Sequence, residues 1–194
     1  MLILVRHGRT EANASGLLLG RADPPLDAVG VDQAAAVAAV LGEPGRVVAS
    51  PLLRTRSTAG GLGADVALDD RWIELSYGEW EGRPVRDIPS DTWQRWASDP
   101  AFAPPGGESI AALGARVRAA CDDLVDAATE SDVVVVSHVS PIKAAVAWAL
   151  GVPDEVAWHL YLAPASITRI GFNGSRRVLV SYNDTGHLTD GAKG

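Results

Sequence analysis

A single cysteine, Cys121, stands in the 194-residue chain. One thiol cannot form an internal disulfide or a multi-cysteine metal site. Long apolar runs are missing as well. None approaches the ~20 residues of a membrane-spanning helix, so no membrane role is expected. Met1-Leu2-Ile3-Leu4 has no basic segment before it and meets Arg6-His7 almost at once, so it does not read as a signal peptide and a cytoplasmic setting is expected. Basic excess is absent. The net charge of −7 and a pI of about 5.0 exclude a general nucleic-acid binder. There is no Walker A sequence, zinc motif or acidic metal cage, so no metal is expected. Internal repeats, low-complexity tracts and interdomain linkers are also missing. What is present is 47% hydrophobic residues, which excludes disorder as the default. The length fits one domain, 1–194, with a substantial core.

The chain alternates strand and helix signals. Leu2-Ile3-Leu4-Val5 is a short buried strand, and Gly8 is expected to break it by allowing a sharp turn. Residues 14–26 read as a loop punctuated by Gly16, Gly20, Pro24 and Pro25. A helix is expected from Asp27, its N-cap, to Leu41, and a strand at Arg46–Ser50. Pro51 favours a helix start, with the helix at Leu52–Leu62, and Val66–Leu68 can add a short strand. Residues 70–107 are irregular and hold Trp72, Tyr77, Trp80, Trp93, Trp96 and Phe102. They read as an excursion, from about 75 to 107, that covers the site.

From Glu108 to Ala128 the apolar spacing predicts one long helix, with Cys121 in its core face. The four valines Val133–Val136 predict a strand buried on both faces, followed by a helix at Pro141–Leu150. Ile167–Phe172 and Arg177–Tyr182 around Asn173-Gly174 signal a hairpin, and a flexible tail is expected from about 189. The class is α/β, a three-layer α/β/α sandwich with a mostly parallel central sheet.

Several residues fall where such a sheet places its chemistry. Arg6 and His7 end the first strand, and His138 ends the valine strand. Parallel neighbouring strands would bring both imidazoles to one edge. Arg54, one turn into a helix, offers a planar fork of donors suited to phosphate oxygens. Arg56 lies some 200° round that helix from Arg54 and reads as solvated. Glu74, Glu79 and Glu81 sit in an aromatic, Gly-containing loop. An acid beside aromatics loses hydration and its pKa tends to rise, which suits a general acid. Glu74, ahead of the Tyr77-Gly78 turn, is the chosen candidate.

These stretches, taken together, resemble the histidine phosphatase superfamily, which includes the cofactor-dependent phosphoglycerate mutases. The Arg-His-Gly-x-Thr-x-x-Asn pattern matches Arg6–Asn13, and Ser-Pro-Leu-x-Arg-x-x-x-Thr-Ala matches Ser50–Ala59. Glu-x-x-Tyr-Gly-x-x-Glu-Gly matches Glu74–Gly82, Pro-Gly-Gly-Glu-Ser matches Pro105–Ser109, and Ser-His matches Ser137-His138. The resemblance implies a phosphoglycerate mutase-like fold and a phosphohistidine on His7. Arg6, Arg54, His138 and Asn13 would hold the phosphate, and Glu74 would protonate the leaving group. It implies no metal. In many relatives a Gly-Gly pair follows the second histidine, where this chain has Val139-Ser140.

The expected activity is hydrolysis of a small phosphorylated metabolite. The short stretch between Gly82 and Pro105 favours water access over mutase chemistry. The alternatives are a phosphoglycerate mutase, which would need a 2,3-bisphosphoglycerate primer, and a phosphate-binding protein with little turnover. A homodimer is possible, as in many relatives. Arg9, Arg21 and Arg83 either reach a substrate anion or stay solvated. Tyr77 either faces substrate or packs the cover. Trp158 and Tyr161 either line the outer pocket or pack in the core, with the core expected, and His159 and His187 are expected to be peripheral.

Overall fold

The structure is a computed structural model that describes residues 1–63, 65–174 and 176–189. Most of the expected tail lies outside the described residues. Strand β1 (Leu2–Arg6) is followed by a short helix α1 (Glu11–Ala14), which Thr10 caps. Helix α2 (Ala28–Leu41) starts where Asp27 accepts the Gly30 N–H. Then come β2 (Arg46–Ala49), α3 (Leu53–Ala59) and β3 (Val66–Leu68). After the cover segment, with its helix α4 (Ser90–Ser98), come α5 (Ile110–Asp122), α6 (Val125–Glu130), β4 (Val133–Ser137) and α7 (Val139–Leu150). The hairpin β5 (Ile167–Asn173) and β6 (Arg176–Asp184) closes the sheet.

The sheet order is β3-β2-β4-β1-β5-β6. The first four strands pair in parallel, and β5 and β6 join antiparallel. The chain leaves β1 for β2 and returns later to insert β4 between them. That return makes β1 and β4 parallel neighbours, with Arg6 opposite Ser137. His7 and His138 therefore come next on adjacent strands, at one sheet edge.

Each β1 and β4 side chain is buried, on one face or the other. Leu2, Leu4, Val133 and Val135 pack with Leu113, Val117 and Ile142 of α5 and α7. Ile3, Val5, Val134 and Val136 pack with Val37 and Ala59 of α2 and α3. A fully buried valine contributes roughly 1.5–3 kcal/mol, so the valine strand anchors His138 firmly. Cys121 is part of that core, and burial pushes its thiol pKa up.

Three expectations are corrected. The helix expected over 108–128 breaks after Asp122 and restarts at Val125. Leu124 N–H bonds to Cys121 C=O in a tightened turn, and the two aspartates there are tethered: Asp122 accepts from Trp148 Nε1 at 2.8 Å and Asp123 from Arg71 Nη1 at 2.7 Å. Apolar periodicity misses the break because Leu124 and Ala128 stay buried across it. In the segment read as irregular, α4 forms a nine-residue helix with Trp93 and Trp96 one turn apart. Gly8 does not have a positive φ. It is needed for space, since a Cβ there would lie 2.4 Å from the Gly30 carbonyl oxygen of α2.

Candidate active site

His7 is buried at the end of β1, and its amide continues the ladder to Ser137 C=O at 3.0 Å. Its Nδ1 lies 2.7 Å from the Gly8 carbonyl oxygen. A carbonyl only accepts, so Nδ1 carries the proton and Nε2 holds the lone pair. Burial lowers the His7 pKa well below 6.5, and the Arg6 and Arg54 charges lower it further. His7 is thus neutral at neutral pH, with a free nucleophilic nitrogen. The His138 ring stands edge-on with its centroid 5.1 Å away.

His138 is held at both nitrogens. Arg54 Nε donates to Nδ1 at 3.3 Å, so Nε2 carries the proton and donates to Ser50 Oγ at 2.8 Å. Burial, then His7 and Arg54, lower its pKa well below 6.5. Ser50 opens the Ser-Pro-Leu motif but was not singled out for a role.

The two arginines are both buried. Arg6 Nη1 donates to Leu162 C=O at 2.6 Å, while its Nε is buried with no partner among the described residues. An orphaned donor costs about 1–3 kcal/mol, so it is ready for an incoming oxygen. Burial pulls the Arg6 pKa down to about 10, against the opposing pull of the Glu74 carboxylate. Arg54 donates Nη1 to Ala22 C=O at 2.7 Å and Nη2 to Gly20 C=O at 2.8 Å. The same loop offers its Gly20, Arg21 and Ala22 amides to the Glu81 carboxylate at 2.7, 3.1 and 3.3 Å. Glu81 therefore fixes the loop that fixes Arg54, a relay the sequence reading did not find.

Glu74 is buried, but not in an apolar slot. Its carboxylate accepts from Leu75 N–H at 2.8 Å, Val139 N–H at 3.1 Å and Ser140 N–H at 3.2 Å. The N-terminus of α7 thus holds the acid, which answers the Val139-Ser140 departure: the donors are backbone, and the two side chains shape the wall beyond. The Pro105–Ser109 motif supports this loop. Glu108 N–H bonds to Ser76 C=O at 2.9 Å, and Glu79 N–H to Pro105 C=O at 2.9 Å.

The other candidates divide. Asn13 closes a capping box, its Oδ1 accepting from Thr10 N–H at 3.1 Å, and it bonds to neither histidine. Tyr77 faces a cavity beside Glu74, where burial and that carboxylate push its hydroxyl pKa up. Arg21 pairs with Glu108 at 3.3 Å, Arg9 pairs with Asp27 at 2.8 Å, and Arg83 is exposed, with no salt bridge among the described residues. Arg56 is exposed, as expected. Trp158 lines the same cavity as Tyr77, whereas Tyr161, expected in the core, is 73% exposed. Among the described residues no group of three or more His, Cys, Asp or Glu side chains is placed to hold a metal ion, and no helix is long and apolar enough to cross a membrane.

Both depressed histidines link folding to pH. Between their folded pKa and 6.5 the unfolded chain binds a proton at each, and the folded protein does not. Stability is therefore full above about pH 6.5 and falls below it, by up to about 1.4 kcal/mol per pH unit for each imidazole. Denaturant midpoints should hold above about pH 6.5 and drop from there to about pH 5, and His7→Gln should remove up to one proton from that slope. A flat midpoint over this range would show that the imidazoles take up protons equally in the folded and unfolded chain.

The sheet order, the paired histidines and the buried arginines define a histidine phosphatase architecture. The chain belongs to the histidine phosphatase superfamily, branch 1, whose model matches residues 2–185. A bifunctional protein of Mycobacterium tuberculosis is 37% identical over 96% of this chain, which spans only 54% of that relative's length. A Yersinia enterocolitica protein named probable phosphoglycerate mutase GpmB is 34% identical, covering 96% of this chain and 94% of its own. The structure of Entamoeba histolytica phosphoserine phosphatase in complex with phosphoserine superposes with a TM-score of 0.90 at 30% identity, over 97% of this chain and 98% of that one.

Proposed function

We propose that the chain is a cytoplasmic, metal-independent phosphomonoester hydrolase acting on a small phosphorylated metabolite through phospho-His7. The observation that carries this reading is the fixed tautomer of His7. Its Nδ1 is tied to Gly8 C=O, leaving the lone pair on Nε2, beside a buried Arg6 whose Nε has no partner among the described residues. Likeness to a phosphoserine phosphatase structure supports hydrolysis.

Nε2 attacks phosphorus as the ester P–O bond breaks, and the leaving oxygen takes a proton from Glu74. Arg6, Arg54 and His138 offset the charge that develops on the equatorial oxygens, the role a divalent cation plays elsewhere. Asn13 can add its Nδ2 donor. Water then forms the new P–O bond as the P–N bond breaks, and its proton passes to Glu74. That proton serves the next leaving group, so the cycle consumes one ester and one water and yields one alcohol and one phosphate.

The relative named as a mutase favours a second reading, phosphoryl return to an organic acceptor. One experiment separates them. A generic aryl phosphate is incubated with excess chelator, and phenol and phosphate are counted. Equal release of both, unchanged by the chelator, supports the hydrolase. Interconversion of phosphoglycerates only after priming with 2,3-bisphosphoglycerate establishes the mutase. Phosphate binding without turnover in either assay leaves a binding protein.

A further inference from the structure

We propose that the cavity beside Glu74 receives the leaving group of the substrate, and that Lys143 reads a carboxylate on a single-ring or similarly compact organic body. This rests on the hydrolase reading and names its substrate class. The cavity has a volume of about 110 Å³ and is walled by Trp93, Trp96, Trp158, Tyr77 and Leu113. A cavity of ~150 Å³ accommodates benzene, so this smaller space bounds the enclosed part of the body at about one ring and excludes a nucleotide. It adjoins the reacting groups through Val139 and Ser140, whose amides hold Glu74. A phosphoryl group at His7 therefore leaves its organic body on this side.

Lys143 follows Val139 by four residues and Ser140 by three, on the same face of α7. It lines the cavity and is only partly exposed. It makes no hydrogen bond or salt bridge with any described residue. Asp154, the acid of the same wall, is already engaged, with Arg118 Nη1 at 2.7 and 2.8 Å from its two oxygens. The carboxylate nearest in effect is Glu74, which its three amides occupy. An aromatic-walled cavity thus presents one uncommitted cation. The residue type is notable in this chain: of its 17 basic residues only Lys143 and Lys193 are lysines. An ammonium is a compact charge that does not demand bidentate geometry, so it suits a carboxylate entering along the ring walls.

The test compares two aryl phosphates with similar leaving groups, 4-carboxyphenyl phosphate and 4-carbamoylphenyl phosphate. The wild type should favour the carboxylate by roughly 10–100-fold in kcat/KM, carried mostly by KM, as a charge-assisted contact in a partly desolvated site predicts. Lys143→Met should bring that ratio close to one, and Lys143→Arg should restore part of it. No carboxylate preference in the wild type, or an undiminished ratio in Lys143→Met, overturns the inference while turnover of the carbamoyl ester still upholds the hydrolase. Turnover of neither ester overturns the hydrolase reading and this inference with it.

Discussion

His7→Ala should lower kcat by on the order of 10⁶-fold, the scale on which loss of a covalent nucleophile is felt. The expectation follows from the single free lone pair. Each nitrogen of His138 is engaged, Nδ1 by Arg54 and Nε2 by Ser50, so the second ring cannot replace the first without breaking two hydrogen bonds. The fold should survive. Truncation leaves the Gly8 carbonyl without its partner, at about 1–3 kcal/mol, against a β1 strand that remains fully buried. Arg6 and Arg54 also remain, so the variant should still bind phosphate or vanadate, which calorimetry can measure. Retained binding with abolished turnover locates the loss in the chemical step. Residual turnover above about one part in a thousand would instead mean that water attacks phosphorus directly.

Much of this was legible from the sequence because strong local signals coincide with the site. The apolar runs before His7 and His138 fix two buried strands, and parallel pairing then places the rings together. Arg54 was legible from its position after a strand and a Pro, since the helix face it occupies is set by spacing. Other features depend on contacts between distant segments. Glu81 is about sixty residues from the amides it binds, and no pattern in the chain links them. Glu74 was expected in aromatic surroundings, and its carboxylate instead accepts from three backbone amides. Among the aromatics near it in sequence Tyr77 lines the cavity while Trp72 and Trp80 join the core, and its own partners come from Leu75 and the start of α7. Lys143 lay unremarked in an apolar helix because periodicity reads such a residue as surface. Tyr161, expected in the core, is exposed because its burial is decided by tertiary packing alone.

Glu74→Gln should cost 10²–10⁴-fold, roughly, in turnover of an alkyl phosphate, whose leaving oxygen needs a proton. A 4-nitrophenyl ester has a leaving group that departs without one, so phosphorylation of His7 should persist. The second step should not, because no carboxylate is left to take the proton of the attacking water. The variant should therefore release one rapid equivalent of nitrophenolate and then stall as an acid-labile phosphoenzyme. The distinction matters because the position of Glu74 also supports a purely structural role. It binds three backbone amides and ties the loop after Trp72 to α7, and the glutamine NH2 would face at least one of those donors. A lost amide bond lowers stability by about 1–3 kcal/mol and lowers activity on every substrate alike. Glu74→Ala controls for that effect. A burst that appears in both variants, with losses that grow as the leaving group becomes more basic, identifies a proton carrier. Equal losses on all esters without a burst would reduce Glu74 to a clamp on the helix that positions His138.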